Sequence, residues 1–221
     1  IFLLASFGTF GSMPDHTALE NPRTNLATEV ISSDGVTLGK FYYEDNRTPV
    51  SFNELPKHLV EALIATEDIR YFDHAGIDAR GTLRALFKFG QGGGASTISQ
   101  QLAKQLFHGE GSRNTFGRIT QKIKEWVIAT RLEKQYTKEE IIAQYFNIYD
   151  FGNNADGIRS AARIYFGKEP SALNLKESAM LVGMFKNSSL YNPRPERNPV
   201  GTKNRRNVVL SQMEKYGFIT Q

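Results

Sequence analysis

Cysteine is absent from the 221 residues of this chain. Its absence excludes a disulfide-stabilised scaffold and any zinc site built on thiolates. The chain also lacks internal repeats, and its one low-complexity tract is the glycine run at 92–94. Apolar residues make up 40% of the sequence, so the length and composition suit one globular domain with a real core.

A run of apolar residues long enough to cross a bilayer is also missing. The apolar stretch at 1–11 is too short, because a membrane-spanning helix needs about 20 residues. We interpret this stretch as the outer end of a membrane helix. We therefore expect residues 1–12 to be the end of that helix, 13–50 to be a linker with a β-hairpin, and 51–221 to be the main domain.

Acidic residues are scarce in one stretch of the chain, between positions 104 and 138. The net charge of the whole chain is only +4, but three acidic residues in this stretch accompany eight basic ones: Lys104, Arg113, Arg118, Lys122, Lys124, Arg131, Lys134 and Lys138. Such an excess suits a phosphate-bearing ligand or an anionic membrane. A solvated helix face without a partner is the alternative.

The pattern of the remaining sequence predicts a mostly α-helical fold. Two alternating runs around Asp34-Gly35 predict a hairpin over 29–43. Thr137 and Glu140 have the spacing of a capping box, which marks a helix start. Apolar periodicity and capping residues predict helices over 56–68, from Ser96, over 116–134, from Thr137, over 175–185 and over 203–216.

Glu67 is the first candidate for chemistry. On a helical wheel it falls within an apolar arc with Leu59 and Leu63, whereas Asp68 falls on the opposite, polar side. A carboxylate on an apolar face loses hydration, which suits a general base or acid that works near neutral pH. If the helix frays before Glu67, the residue is an ordinary surface acid.

The next predicted helix carries a polar stripe. Thr97, Gln101 and Lys104 lie at i, i+4 and i+7, opposite an apolar stripe. A hydroxyl, an amide and an ammonium in one row suit a sugar hydroxyl or a phosphate. The glycine run before the helix leaves its first amides open to an anion, but it lacks the Gly-Lys-Ser/Thr ending of a P-loop.

A third helix repeats this arrangement. Arg118, Lys122 and Glu125 share one of its faces. Lys122 and Glu125 could form a surface ion pair worth a few tenths of a kcal/mol. The alternative is a second carboxylate held in a cationic pocket for a diphosphate, and the pattern alone leaves both readings open.

Five segments appear in an order that matches one enzyme family: 67–76, 94–104, 122–125, 138–152 and 177–206. With them the chain resembles the peptidoglycan glycosyltransferases, family 51, of class A penicillin-binding proteins and monofunctional synthases. The resemblance covers roughly residue 50 to the end. It implies a two-lobed, mostly helical, lysozyme-like fold with a small membrane-associated lobe, and residues 51–221 as the glycosyltransferase domain.

The resemblance also implies roles for individual residues. Glu67 would deprotonate the acceptor's 4-hydroxyl, and Glu125 would assist departure of the donor's diphosphate, directly or through a divalent cation such as Mg²⁺. No organic cofactor is required. Arg118 would substitute for a family arginine, and it joins the implied substrate-binding residues Asp68, His74, Ser96, Thr97, Gln101, Lys104 and Lys122.

The implied reaction joins lipid II to a growing glycan on undecaprenyl diphosphate, with inversion at the anomeric carbon. The implied partners are these two substrates, membrane lipids and moenomycin-type inhibitors, without nucleic acid. We expect a single-pass protein of the cytoplasmic membrane with its catalytic domain on the periplasmic face, and a C-terminal transpeptidase domain in the full-length protein.

Three positions depart from the family pattern. Tyr71 stands where the family has phenylalanine, Gln121 where it has arginine, and Ala143 where it has glutamate. None of the three removes a carboxylate with an implied catalytic role. The set of diphosphate ligands is the part of the site that these departures affect.

The segment 80–89 is basic, aromatic and amphipathic, as interfacial segments are. We expect it to contact lipid through Leu83, Leu86, Phe87 and Phe89. A catalytically silent membrane-surface module is therefore one alternative function, although the retained Glu67 and Glu125 argue against it. The nearest enzymatic alternative is a lysozyme-like peptidoglycan hydrolase or lytic transglycosylase, which would not need the basic row of Lys104, Arg118 and Lys122.

Overall fold

The computed structural model describes residues 28–35, 37–41, 47–87, 96–107 and 115–220, and these are mainly helical, as predicted. The strands are β1 (Thr28–Ile31) and β2 (Thr37–Phe41). The helices are α1 (Lys57–Glu67), α2 (Ala79–Phe87), α3 (Ile98–Phe107), α4 (Thr115–Gln135), α5 (Lys138–Ile148), α6 (Gly157–Phe166), α7 (Leu175–Met184) and α8 (Pro199–Lys215). The apolar stretch 1–11, the glycine run 92–94 and Phe89 lie outside the described residues.

The hairpin has its turn at the predicted position. β1 and β2 are antiparallel, with Thr28 opposite Phe41 and a register shift after Val30. The amide of Gly35 donates to the carbonyl of Ser32 at 2.9 Å. Gly35 has a φ of +82°, a conformation that glycine adopts without steric cost, so the Asp-Gly pair fixes the turn.

The helix ends follow local capping chemistry. Thr137 and Glu140 form the predicted capping box, in which each main-chain amide donates to the other side chain, at 2.8 and 3.2 Å. The second predicted helix starts at Ile98, two residues after Ser96, because the hydroxyl of Thr97 accepts from the amide of Gln100 at 3.2 Å. Thr97 is thus the residue that precedes and caps the helix.

Two helices, α2 and α6, were missing from the sequence prediction. α6 buries Ile158, Ala161 and Ala162, which have helical spacing, and it ends where Gly167 adopts a φ of +65°. A left-handed glycine is a common helix terminator. This spacing and the terminal glycine are signals that could have identified α6 from the sequence.

The described chain divides into two compact units. The first runs from Glu67 to Tyr145, and the second combines the described residues before Glu67 with those from Phe146 onward. In the first unit, α3 packs against α4. Its core is formed by fully buried side chains: Tyr71, Ile98, Leu102, Ile128, Leu132, Ile141, Ile142 and Tyr145.

The second unit is built around α7 and α8, which pack against each other. Aromatic rings cluster beside them, with Tyr149 and Phe185 4.4 Å apart between ring centroids in an edge-to-face arrangement. Phe146 and Phe151 each lie 5.5 Å from the Phe185 ring. Edge-to-face pairs of this kind stabilise beyond their area burial.

Membrane association stays a prediction. Within the described ranges, none of the helices is both long enough and apolar enough to cross a bilayer. On α2, Leu83 is 53% exposed, as the predicted lipid contact requires. The side chains of Leu86 and Phe87 lie outside the described part of the molecule, as does Phe89.

Candidate functional site

Glu67 is the last residue of α1, and its side chain is partly exposed. The helix therefore does not fray before it. The amide nitrogen Nε2 of Gln101, on α3, donates to Glu67 Oε2 at 3.1 Å. The amide oxygen of Gln101 accepts in turn from the hydroxyl of Tyr145 at 2.7 Å. Glu67 is thus held by a neutral donor while part of its surface stays accessible.

Asp68 follows α1 and is buried, with 7% exposure. The helical wheel placed it on the polar side, and this was wrong because the helix ends one residue earlier. Its carboxylate accepts from His74 Nε2 at 3.0 Å and from the amide of Ile98 at 3.1 Å. The second bond satisfies the first amide of α3, which has no partner within the helix. Asp68 therefore joins the end of α1 to the start of α3.

The loop that carries His74 is also attached through Gly76. The carbonyl of Gly76 accepts from the Thr97 hydroxyl at 2.7 Å and from Gln100 Nε2 at 3.1 Å. Gly76 has a φ of +86°, and a β-carbon there would lie 2.9 Å from the main chain of Ala129, so glycine is required. Thr97 is 1% exposed, so its hydroxyl acts inside the fold.

A partly buried ion pair between Lys138, on α5, and Glu133 supports the same loop. Lys138 Nζ donates to Glu133 Oε1 and to the carbonyl of His74, both at 2.7 Å. The ammonium also lies 4.2 Å from the ring centroid of Tyr71, whose hydroxyl donates to the main-chain oxygen of Lys138 at 2.9 Å. Burial raises the pKa of Tyr71, so this hydroxyl stays a neutral donor.

The sequence analysis did not identify this supporting role of Glu133 and Lys138. One signal was present: the departure of Tyr71 from the family phenylalanine adds a hydroxyl that needs a partner when the ring is buried. The structure provides that partner on Lys138.

Glu125, on α4, is 6% exposed. Lys122 Nζ lies 3.1 Å from one of its oxygens, and Gln121 Nε2 donates to the other at 3.3 Å. The same ammonium donates to Ser96 Oγ at 2.6 Å. The ion pair left open by the sequence is therefore formed, and its acidic partner is buried. Gln121, in place of the family arginine, supplies a neutral donor instead of a second charge.

The two remaining basic residues of the predicted site lie on the surface. Lys104, on α3, and Arg118, on α4, are both exposed. Gln101 and Ser96 are partly exposed. The predicted polar stripe on α3 is thus divided, with Gln101 and Lys104 accessible and Thr97 inside. Contact of any of these residues with a substrate stays a prediction.

A divalent cation does not match the donor set around Glu125. Both carboxylate oxygens already face N–H groups, and one of these groups is a cationic ammonium. Across the described residues, no group of three or more His, Asp or Glu side chains could hold a metal ion.

A cleft of about 550 Å³ lies beside His74 and is lined by Arg70, Asp73, Asp78 and Arg80 among others. The carboxylate of Asp78 pairs with Arg70 and accepts from the amide of Gly81 at 3.0 Å, which caps α2. Burial raises the pKa of Asp78, but hydrogen bonds from Arg70 and Gly81 outweigh it, so the net pKa is lowered.

The sequence of this chain is similar to those of known proteins. A family model described as Transglycosylase matches residues 34–214. The chain is 38% identical over 213 residues to penicillin-binding protein 1A of Escherichia coli (strain K12), which covers 95% of this chain and 24% of that protein. It is 38% identical over 202 residues to penicillin-binding protein 1F of Bacillus subtilis (strain 168), which covers 89% of this chain and 27% of that protein.

A crystal structure of penicillin-binding protein 1A from Haemophilus influenzae is similar at 24% identity with a TM-score of 0.47, and the match covers 90% of this chain and 19% of that one. This chain spans about a quarter of the length of the curated relatives that it matches.

Proposed function

The chain belongs to the transglycosylase family, and on this premise we propose that it is a peptidoglycan glycosyltransferase that polymerises lipid II into glycan strands. The observation that carries the proposal is a pair of acids with different surroundings in one compact unit. Glu67 is partly exposed beside a neutral amide, and Glu125 is buried beside an ammonium. The first suits proton removal from an acceptor, and the second suits support of a diphosphate.

In the proposed reaction, ionised Glu67 accepts the proton of the 4-hydroxyl of lipid II. The oxygen of that hydroxyl forms a bond to the anomeric carbon of the lipid-linked glycan. The bond from this carbon to the diphosphate breaks, and its electron pair leaves with undecaprenyl diphosphate. Attack opposite the leaving group inverts the anomeric configuration. General-base help of this kind typically contributes about 10²–10⁴-fold in rate.

Glu125 acts on the leaving group through Lys122. Its buried carboxylate and the Ser96 hydroxyl hold the ammonium at 3.1 and 2.6 Å, while the Lys122 side chain keeps 35% of its surface exposed. A positioned positive charge stabilises the negative charge that develops on the departing diphosphate. Lys104 and Arg118 add exposed positive charge in the same unit.

The substrate places this part of the protein at a membrane surface. We propose that it acts on the periplasmic face of the cytoplasmic membrane, as part of a single-pass protein, and that a transpeptidase domain lies in the remaining length that its relatives have. Moenomycin-type inhibitors should bind the same site. Liposome flotation should weaken with Leu83→Ser and not with Ile164→Ser, an exposed apolar control that is 39% exposed on α6.

The deciding experiment is incubation of the purified chain in detergent with labelled lipid II, followed by gel separation of glycan products. Long polymers formed without a nucleotide, together with released undecaprenyl diphosphate, would support the proposal. Cleavage of finished peptidoglycan without polymer formation would instead indicate the hydrolase or lytic transglycosylase.

A further inference from the structure

Tyr145 is a fully buried residue of α5 without an assigned role in the reaction. Its hydroxyl lies 2.7 Å from Gln101 Oε1, and Gln101 Nε2 lies 3.1 Å from Glu67 Oε2. We propose that Tyr145 is a positioning residue that fixes the orientation of the Gln101 amide, so that its nitrogen faces the base. This inference rests on the proposed function, in which Glu67 is that base.

The amide side chain of Gln101 is nearly symmetric in shape. The oxygen and nitrogen of glutamine occupy nearly the same volume, so packing alone hardly distinguishes the two orientations. In one orientation Gln101 donates to Glu67, and in the other it sets its oxygen against a carboxylate oxygen. The second arrangement places two acceptors together, and it withdraws a hydrogen bond from the ionised base.

Tyr145 selects the first orientation. A buried hydroxyl that fails to donate is unfavourable, because it has lost its water without gaining another partner. The Tyr145 hydroxyl donates to the Gln101 oxygen, and this directs the Gln101 nitrogen towards Glu67. Tyr145 thus influences Glu67 through the neutral Gln101 amide, and it does not change the charge of the site. Because Tyr145 acts on Glu67 through that amide, its role is positioning and not catalysis.

The first test is Tyr145→Phe in the purified chain, assayed for lipid II polymerisation. The change keeps the buried ring and removes only the hydroxyl. We expect kcat to fall about tenfold, the equivalent of one hydrogen bond of about 1.4 kcal/mol, while KM for lipid II changes less than twofold. The base would then be held in a less productive position, with substrate binding unchanged.

The matched control is Tyr149→Phe. That hydroxyl donates at the same 2.7 Å distance, but to the main-chain oxygen of Met184 in the second unit. We expect Tyr149→Phe to lower the midpoint of thermal unfolding about as much as Tyr145→Phe, without lowering kcat. An equal loss of kcat in both variants would show a general structural effect and would overturn the inference.

The second test keeps Tyr145 and changes the residue through which it acts. Gln101→Glu retains an acceptor for the hydroxyl but cannot donate to Glu67, so kcat should fall at least tenfold even if Tyr145→Phe does not fold. Adding Tyr145→Phe to Gln101→Leu should have no further effect, because the two residues act through one hydrogen-bonded chain. A full additional tenfold loss in that background would overturn the inference.

The outcomes separate this inference from the proposed function. If the unmodified chain makes polymer and Tyr145→Phe keeps the same kcat, the positioning role is wrong and the glycosyltransferase assignment stands. If the unmodified chain makes no polymer, both are wrong.

Discussion

The surroundings of Glu67 and Glu125 differ in the two properties that decide what a carboxylate can do. Glu67 ends a helix, is partly exposed and receives a hydrogen bond from a neutral amide. Glu125 lies in mid-helix, is 6% exposed and is paired with an ammonium. An ionised carboxylate needs an open position to receive a proton, whereas one that is paired with a cation is better suited to hold that cation in place.

In the proposed reaction, this difference would let two residues of one type serve different roles. The partly exposed acid would accept the proton, and the buried acid would orient the cation. Both are connected to the start of α3: Gln101 contacts Glu67, while Ser96 contacts the lysine that pairs with Glu125. Substitutions of the two acids should therefore differ in their effect on turnover and in how that effect depends on salt.

The largest effect is expected from Glu67→Gln, which preserves size and removes the proton acceptor. Turnover of lipid II should fall about 10²–10⁴-fold, the usual contribution of a general base. Lipid II binding, measured separately by equilibrium titration, should be nearly unchanged. Glu61→Gln is the matched control on the same helix, because Glu61 pairs at i,i+4 with the exposed Lys57. Near-normal turnover in Glu67→Gln would exclude Glu67 as the base.

A smaller effect is expected from Glu125→Gln, about 10²-fold in turnover, because the Lys122 ammonium loses its anchor. Higher salt should reduce the difference in turnover between Glu125→Gln and the unmodified chain. The reason is that screening weakens the contribution of a partly exposed charge such as the Lys122 ammonium. The difference in turnover between Glu67→Gln and the unmodified chain should not change with salt. Turnover at several ionic strengths tests the contrast, with the exposed Glu139→Gln as control. Equal salt dependence at both acids would contradict the division of roles.

Asp78 also pairs with a cation, Arg70, but neither residue has a role in the proposed reaction. A change at Asp78 should therefore affect the stability of the fold. Asp78→Asn keeps a side-chain oxygen that can cap α2 but removes the charge that pairs with Arg70, so it should lower the free energy of unfolding by about 0.5–1 kcal/mol at pH 7. The folded pKa of Asp78 is lowered, so its contribution is present above the unfolded pKa of about 3.9 and is lost as the pH falls through the folded pKa.

Urea unfolding at pH 7 and at successively lower pH measures this contribution. The free energies of unfolding of the unmodified chain and of Asp78→Asn should become equal as the pH is lowered. A difference that persisted unchanged at the lowest pH would show that the loss of stability does not come from the charge of Asp78.

The smallest effect is expected from Ser96→Ala. The variant removes the hydroxyl 2.6 Å from Lys122 Nζ and leaves the pair with Glu125 in place. Turnover should fall about two- to fivefold, the equivalent of about 0.4–1 kcal/mol, since the pair with Glu125 still holds the ammonium. A loss as large as that of Glu125→Gln would mean that Ser96 contacts the substrate directly.

The sequence predicted most of the helices and the hairpin turn because those features depend on neighbouring residues. The capping box at Thr137 and the Asp34-Gly35 turn are local, and both occur where expected. Asp68 was misplaced because a wheel assumes that the helix continues, and its end is decided by the contact with Ile98 thirty positions away. The link from Tyr145 to Gln101 joins residues that are far apart in the chain, so no periodicity reveals it.

The second compact unit has a consequence for how the chain is made. Contacts within it join Val50 to Asn147, Glu54 to Arg159 and His58 to Leu173, at separations of 97, 105 and 115 residues. At synthesis rates of about 5–20 residues per second, the earlier partner waits roughly 5–20 s for the later one. During that interval the apolar side of α1, with Leu59 and Leu63, has no completed core to enter. Until residues beyond Phe146 have been synthesised, the nascent chain should therefore need a chaperone, or slow release from the ribosome, to keep this apolar surface from aggregating.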